Sequence, residues 1–192
     1  GGGITIGDSS TKTKANNTTR HKGFVSVEII NTTITNNSAD FGGGIYVFNS
    51  NRLYQIKNSI IAGNHSTNEI GKEIFAGDTI NLEMDHFNFI KSHSLSISIA
   101  AVIGESDIVS NNAIEEVLEP LSNVDLLKVH LPIDKSPVID AGDTTCDVDF
   151  DQLGSKRPID GDSNNSTACD IGAIEFNPII DFIFDNGFEL EE

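Results

Sequence analysis

The side chains able to do chemistry crowd into one stretch of this chain, Ser136 to Glu175. It holds Asp140, Asp143, Asp151, Asp160, Asp162, Asp170, Arg157 and both cysteines, Cys146 and Cys169. Calcium is the first ligand such residues suggest. Asp160, Asp162 and Asn164 stand at the 1-3-5 spacing of a calcium loop. The Gly of position 6 and the Glu of position 12 are replaced by Asn165 and Ile171, so Ca²⁺ is only a secondary expectation. Zinc fits less well, because there is no C-x₂-C pair. His21, His65, His86, His93 and His130 show no ligand spacing, and no G-x-S-x-G nucleophile motif occurs. The residues therefore assign no catalytic group, no bound metal and no cofactor.

The cysteines have a simpler use. Both lie in a loop-rich, polar segment, where closing the Cys146–Cys169 loop stabilises by roughly 3 kcal/mol on the chain-entropy view. A disulfide implies an oxidising, exported setting. Two free thiols in a cytosolic protein is the alternative.

Charge narrows the partners. The formal net charge of the 192 residues is −17. From position 134 onward, 15 acids face only Lys135, Lys156 and Arg157. Such a surface repels phosphate backbones, which argues against nucleic acid. No apolar run approaches the ~18 residues of a membrane span. One basic patch stands out: the loop Ser9–Lys22 carries Lys12, Lys14, Arg20, His21 and Lys22 and no acid. It reads first as a solvated loop, with contact to an acidic polysaccharide as the alternative. The first residues, Gly1-Gly2-Gly3, carry no initiator Met and read as the start of a piece of a longer protein.

An internal repeat sets the elements that must position these residues. At a shift of 27, Ile29 falls on Ile56, Asn31 on Asn58, Ile34 on Ile61 and Asn37 on Asn64. At a shift of 41, Gly1-Gly-Gly-Ile4 falls on Gly42-Gly-Gly-Ile45. The difference of 14 is the length of the Ser9–Lys22 loop. The segments are short, β-branched and alternating: Val25, Val27, Ile29; Ile45, Val47; Leu53, Gln55; Ile80, Leu82, Met84. Each is bounded by Asn, Gly or Ser. The predicted fold is all-β, a right-handed parallel β-helix, with Asn31/Asn58 and Asn37/Asn64 stacked as ladders at left-handed turns. An antiparallel β-sandwich is the alternative. A last strand is expected at Leu95–Ile103. A short helix is expected at Ala113–Glu119, capped by Asn112 with Glu115 at its third position.

Two resemblances follow. The repeats resemble the pectate-lyase-like β-helix superfamily, and Asn37-Ser-Ala-Asp-Phe41-Gly-Gly-Gly-Ile45 resembles the polymorphic outer-membrane protein repeat. From Asn88-Phe-Ile90 the chain resembles the choice-of-anchor Q domain of bacterial β-helix proteins. The resemblance rests on Leu118-Glu-Pro-Leu121, Leu131-Pro-Ile-Asp-Lys-Ser136-Pro-Val-Ile-Asp-Ala-Gly-Asp143, and Cys146 with Asp151-Gln-Leu-Gly-Ser-Lys-Arg157-Pro158. It ends with Cys169-Asp-Ile-Gly-Ala-Ile-Glu175. Leu153 stands where the family has Arg, and Ser122-Asn-Val-Asp125 where it has Gly-Gly.

The resemblance implies location rather than catalysis. It suggests terminal β-helix coils at 1–103, a loop-rich C-terminal cap at 104–176 and a tail at 177–192. The tail's Ile183-Phe-Asp-Asn-Gly-Phe-Glu189 resembles an export-related terminal element. In the cap, Ile139, Ile171 and Ile174 are expected to plug the open core. Asp140, Asp143, Asp151, Asp170 and Arg157 are expected to satisfy turns and one another. The function expected is a non-enzymatic, adhesin-like or structural part of an exported, cell-surface protein, with polysaccharide or cell-surface components as partners. The alternative is the tail of a secreted polysaccharide lyase or glycoside hydrolase whose catalytic coils lie upstream.

Overall fold

Alternation and turn chemistry produce short strands that pair in parallel. The computed structural model describes residues 4–7, 27–48, 53–76, 81–84, 86–91, 103–124 and 126–178. The basic loop Ser9–Lys22, Val25, Ile80, most of the expected strand Leu95–Ile103 and residues 179–192 lie outside them.

Three sheets are built by taking one strand from each successive repeat. The first holds β1 (Ile4–Gly7), β5 (Ile45–Phe48) and β9 (Ile74–Ala76). The second holds β2 (Val27–Ile30), β6 (Leu53–Lys57) and β10 (Asn81–Glu83). The third holds β3 (Thr33–Ile34), β7 (Ile60–Ile61), β11 (Phe89–Lys91) and β12 (Ile108–Ser110). A fourth pairs β4 (Ser38–Ala39) with β8 (His65–Ser66). All of these pairings are parallel. The β-sandwich alternative, which needs antiparallel ladders, is not what these strands form.

The predicted register is present in the pairing. Ile29 faces Ile56 and Ile34 faces Ile61, a spacing of 27. Ile4 faces Ile45, a spacing of 41. The third repeat lengthens by one or two residues, since Tyr54 faces Leu82 and Ile45 faces Ile74.

Side chains alternate across each strand. Ile45, Val47, Tyr54, Ile56, Ile61, Ile74, Leu82, Met84 and Ile90 face one internal core and are almost wholly buried. In β6 the inward pair is Tyr54 and Ile56. Gln55 instead bonds Glu83 Oε2 at 3.0 Å on the outside.

The turns explain the recurrent Asn and Gly. Asn31 and Asn58 adopt matching left-handed conformations, φ 45° and 44°. At the next turn the left-handed residues are Asn36 and Gly63, one position before the predicted Asn37 and Asn64. Gly44 is required by crowding, because a Cβ there would lie 2.5 Å from the Glu73 carbonyl oxygen.

One local expectation, the helix, fails. The helix at 113–119 is a single 3-10 turn, Ile114–Glu116, preceded by Ala113 with no side-chain cap. Glu116, not Glu115, reaches back to the Ala113 N–H at 3.3 Å. Residues Ser122–Val124 form β13 of an antiparallel hairpin whose second strand is β14 (Leu127–Val129).

Residues 131–178 carry no named strand. Among the described residues, their buried side chains Val138 and Ile171 belong to a cluster separate from the internal core. Ile60 and Phe89 point away from Ile61 and Ile90, into a second apolar cluster with Ile114, Val117, Leu118, Val138 and Ile171. This cluster lies on the outer face of the third sheet. Of the three predicted plugs, only Ile171 enters it, and Val138 takes the place expected of Ile139. The reason is strand alternation: an Ile-Ile or Phe-Ile pair buries one residue on each face.

Candidate functional site

The C-terminal segment brings the predicted residues together through loops. Cys146 and Cys169 are joined in a disulfide, with Cα atoms 5.7 Å apart. Cys169 N–H donates to the Asp143 carbonyl at 3.0 Å, and Gly142 N–H to the Cys169 carbonyl at 2.8 Å.

The five acids and bases named from sequence each hold backbone. Asp140 Oδ2 accepts the N–H groups of Gly161 at 2.9 Å and Asp162 at 3.0 Å, and Oδ1 that of Ala168 at 3.2 Å. Asp143 Oδ1 accepts the Thr145 N–H and hydroxyl, each at 3.0 Å. These bonds, led by the N–H, hold its carboxyl below the usual range. Asp151 Oδ1 accepts Leu153 N–H at 2.9 Å and Ser155 N–H at 2.7 Å, and Oδ2 accepts Glu175 N–H at 3.0 Å. Asp170 accepts Asp140 N–H at 2.7 Å and Phe176 N–H at 2.5 Å.

Arg157 is the single cation among them. Its side chain is fully buried and pairs with Glu175 at 2.5 Å. It also donates to the carbonyls of Asp170 at 3.1 Å and Gly172 at 2.8 Å. Burial, then the Glu175 carboxylate, pushes Asp170 up to about 7. Burial also raises Glu175, against the pull of Arg157. Glu175 is thus the ion-pair partner that spacing did not identify. Eighteen residues separate the two in sequence; the only signal was its place closing the Asp-Ile-Gly-Ala-Ile-Glu run.

The calcium-loop residues are partly assembled. Asp140, Asp160 and Asp162 each bring one ligand oxygen into a group within 4.8 Å of one another. Asp140, the third member, stands outside the 1-3-5 spacing motif. Asp160 oxygens already accept the N–H groups of Asn164 at 3.1 Å and Asn165 at 3.0 Å. These bonds make the loop an Asx-type turn with its carboxylates engaged.

The segment is anchored to the strands by specific bonds. Asn58 accepts Asp143 N–H at its Oδ1, 3.0 Å, and Gly172 N–H at its carbonyl, 2.8 Å. Thr33 Oγ1 accepts Ala173 N–H at 3.1 Å. Gly172 has φ +110°, and a Cβ on it would sit 2.7 Å from Ile60 Cδ1. Only glycine permits this approach.

Polar ladders run along the strands as well. Asn37 Nδ2 donates to Asn64 Oδ1 at 3.1 Å, and Asn64 Nδ2 to Glu73 Oε2 at 2.6 Å. Burial raises Glu73 above the usual carboxylate range. A second ladder runs from Thr32 N–H to Ser59 Oγ (3.1 Å), Ser59 N–H to Asn88 Oδ1 (3.1 Å) and Asn88 N–H to Asp107 Oδ1 (2.8 Å). Burial raises Asp107 too. The Asn31/Asn58 pair shares backbone shape but no side-chain bond, since both Asn31 amide atoms lack a partner among the described residues.

Of the histidines, His130 donates from Nδ1 to the Glu119 carbonyl at 2.8 Å and lines a cleft of about 460 Å³. This cleft lies at the seam between the third sheet and the hairpin. A second cleft, about 410 Å³, lies between the hairpin and Ile174–Asn177. Among the described residues, no helix is long and apolar enough to cross a membrane. Compared with known proteins, the chain matches no family model, no curated protein and no solved structure.

Proposed function

We propose that this chain is the C-terminal part of an exported right-handed parallel β-helix protein, a non-enzymatic scaffold of the adhesin-like or structural kind. Its C-terminal module is of the choice-of-anchor Q type. The β-helix reading is supported by parallel ladders in which each strand pairs with one a repeat away, on three sheets. Right-handed crossovers are the rule for parallel strands. Export is supported by the Cys146–Cys169 disulfide.

The observation that carries the non-enzymatic reading is the use made of the acids. Asp140, Asp151 and Asp170 each accept two or more backbone N–H groups. Oxygens occupied by backbone N–H groups serve the turns, which is a structural use. The module then acts as a lateral clamp on the last coils, not as a stopper.

Two measurements test this. Truncation after His130 uncovers Ile60 and Phe89, so the shortened protein is expected to aggregate or melt well below the full chain. Equal solubility and heat stability would overturn the clamp. The intact chain is also expected to release no reducing ends or unsaturated products from pectate, polygalacturonate or other acidic and neutral polysaccharides. Turnover would favour an enzyme instead.

A further inference from the structure

The cleft at the seam differs from the rest of the molecule in charge. The chain carries −17, yet none of the described residues lining this cleft is acidic. Its lining includes Lys128 and His130 from the hairpin side, Asn36 from the turn after β3, and Gln152 from the C-terminal segment. Lys128 is exposed and makes no ion pair with the described residues. The side chains of Asn36 and Gln152 make no hydrogen bond with them. His130 is oriented through Nδ1 by the Glu119 carbonyl, which leaves Nε2 as its remaining polar atom. Leu121 and Ala173 add apolar surface.

We infer that this cleft is a binding site for a short acidic saccharide, with one uronate carboxylate held by Lys128 and a sugar hydroxyl donating to His130 Nε2. The amides of Asn36 and Gln152 both donate and accept, which matches sugar hydroxyls that do the same. Leu121 and Ala173 meet the C–H face of the ring. A volume of about 460 Å³ lies in the range of small-ligand sites. No arginine fork or long-helix N-terminus is among the lining residues, so the donor set suits a carboxylate with hydroxyls better than a phosphate. The overall negative charge limits the ligand to few charges, because a long polyanion is repelled by the surrounding surface. The site does not depend on the scaffold reading. It needs only the seam between Thr33–Asn37, the hairpin and Gln152.

Digalacturonate, galactobiose and inorganic sulfate should be titrated into the intact chain, with binding read by calorimetry and by amide shifts of residues 33–37, 128–130 and 152. Digalacturonate is expected to bind 1:1 at those residues, with galactobiose and sulfate each weaker. Lys128→Gln should weaken digalacturonate by about tenfold, the factor for one lost charge-assisted bond, while galactobiose is little changed. Gln152→Ala should weaken both sugars. Replacing Lys12, Lys14, Arg20 and Lys22 by Gln should leave the affinity unchanged, which separates this site from the basic loop. Equal binding of galactobiose would remove the role of charge, and equal binding of sulfate would reduce the site to a generic anion pocket. No binding of digalacturonate, or binding that survives Lys128→Gln intact, would overturn the proposal.

Discussion

The strand region and the C-terminal segment solve one problem in two ways. Each must satisfy the backbone N–H groups of a chain that turns every few residues. The strand region does so by repetition: parallel ladders pair the straight parts, and Asn, Ser and Thr side chains pair the turns. The C-terminal segment has only isolated bridges, Leu118 with Pro132 and Phe150 with Lys156. It pairs its turns with carboxylates and holds those carboxylates with one buried arginine. Repetition spreads the stabilisation over many neutral bonds. The second solution concentrates it in a few charged ones, and so should be the more sensitive to single changes and to pH.

The largest contrast is expected at Arg157. Arg157→Met leaves Glu175 buried without its cation and strips donors from the Asp170 and Gly172 carbonyls. Breaking a buried pair costs about 3–5 kcal/mol. Urea unfolding should show a loss of that size, with proteolytic cuts between 138 and 176 while β5–β8 remain protected. A loss under about 1 kcal/mol would mean the charged network is not what holds the segment.

Ile60 and Ile61 split the two regions at a single peptide bond. Both are almost fully buried, Ile60 against Val138 and Ile171, Ile61 against the internal core. Truncation of either to Ala should cost about 2–5 kcal/mol. The location of the damage should differ. Ile60→Ala should speed amide exchange at 138–172, and Ile61→Ala at β6, β7 and β11. Identical exchange patterns would show one cooperative unit rather than two.

The pH response follows from the carboxylates. Asp170 has a folded value of about 7 against an ordinary 3.8, so the folded state holds its proton across that interval. The stability so gained is fully present below about 4 and is lost as pH rises through about 7. Glu175 shifts in the same direction. The C-terminal segment should therefore be more stable at pH 5 than at pH 8, by a few kcal/mol. Glu73 and Asp107 are also raised, so the strand region shares the sign. Residue-resolved exchange at the two pH values should show the larger change at 138–176, and a larger change near Glu73 would reverse the contrast.

The repeat was legible because it acts twice at each step. Ile29/Ile56 and Ile34/Ile61 carry the core, and Asn31/Asn58 the turn, at one spacing. The side-on packing was not legible from individual motifs, since Ile171 reads as a core plug wherever the core lies. A signal was present in the column Thr33, Ile60, Phe89, where a polar outer position turns apolar along the third sheet. That change marks where the outer face is covered. The backbone partners that the acids hold were not legible. Arg157 meets Glu175 through a loop whose path no periodicity encodes, and Asp140 joins Asp160 and Asp162 only in space.

The smallest expected effect tests the neutral side of the comparison. Ser59 is fully buried; its hydroxyl accepts Thr32 N–H at 3.1 Å and donates to the Lys57 carbonyl at 2.7 Å. Ser59→Ala removes both bonds and leaves the Thr32 donor without a side-chain partner, a penalty of about 1–3 kcal/mol. Thr32 is only half-buried, so water can replace part of the lost bond and the low end is expected. Because the group is neutral, the loss should be the same at pH 5 and pH 8. A loss that grew with pH would tie this ladder, through Asn88, to the charge on Asp107. The strands would then owe part of their order to a buried carboxylate, as the C-terminal segment does.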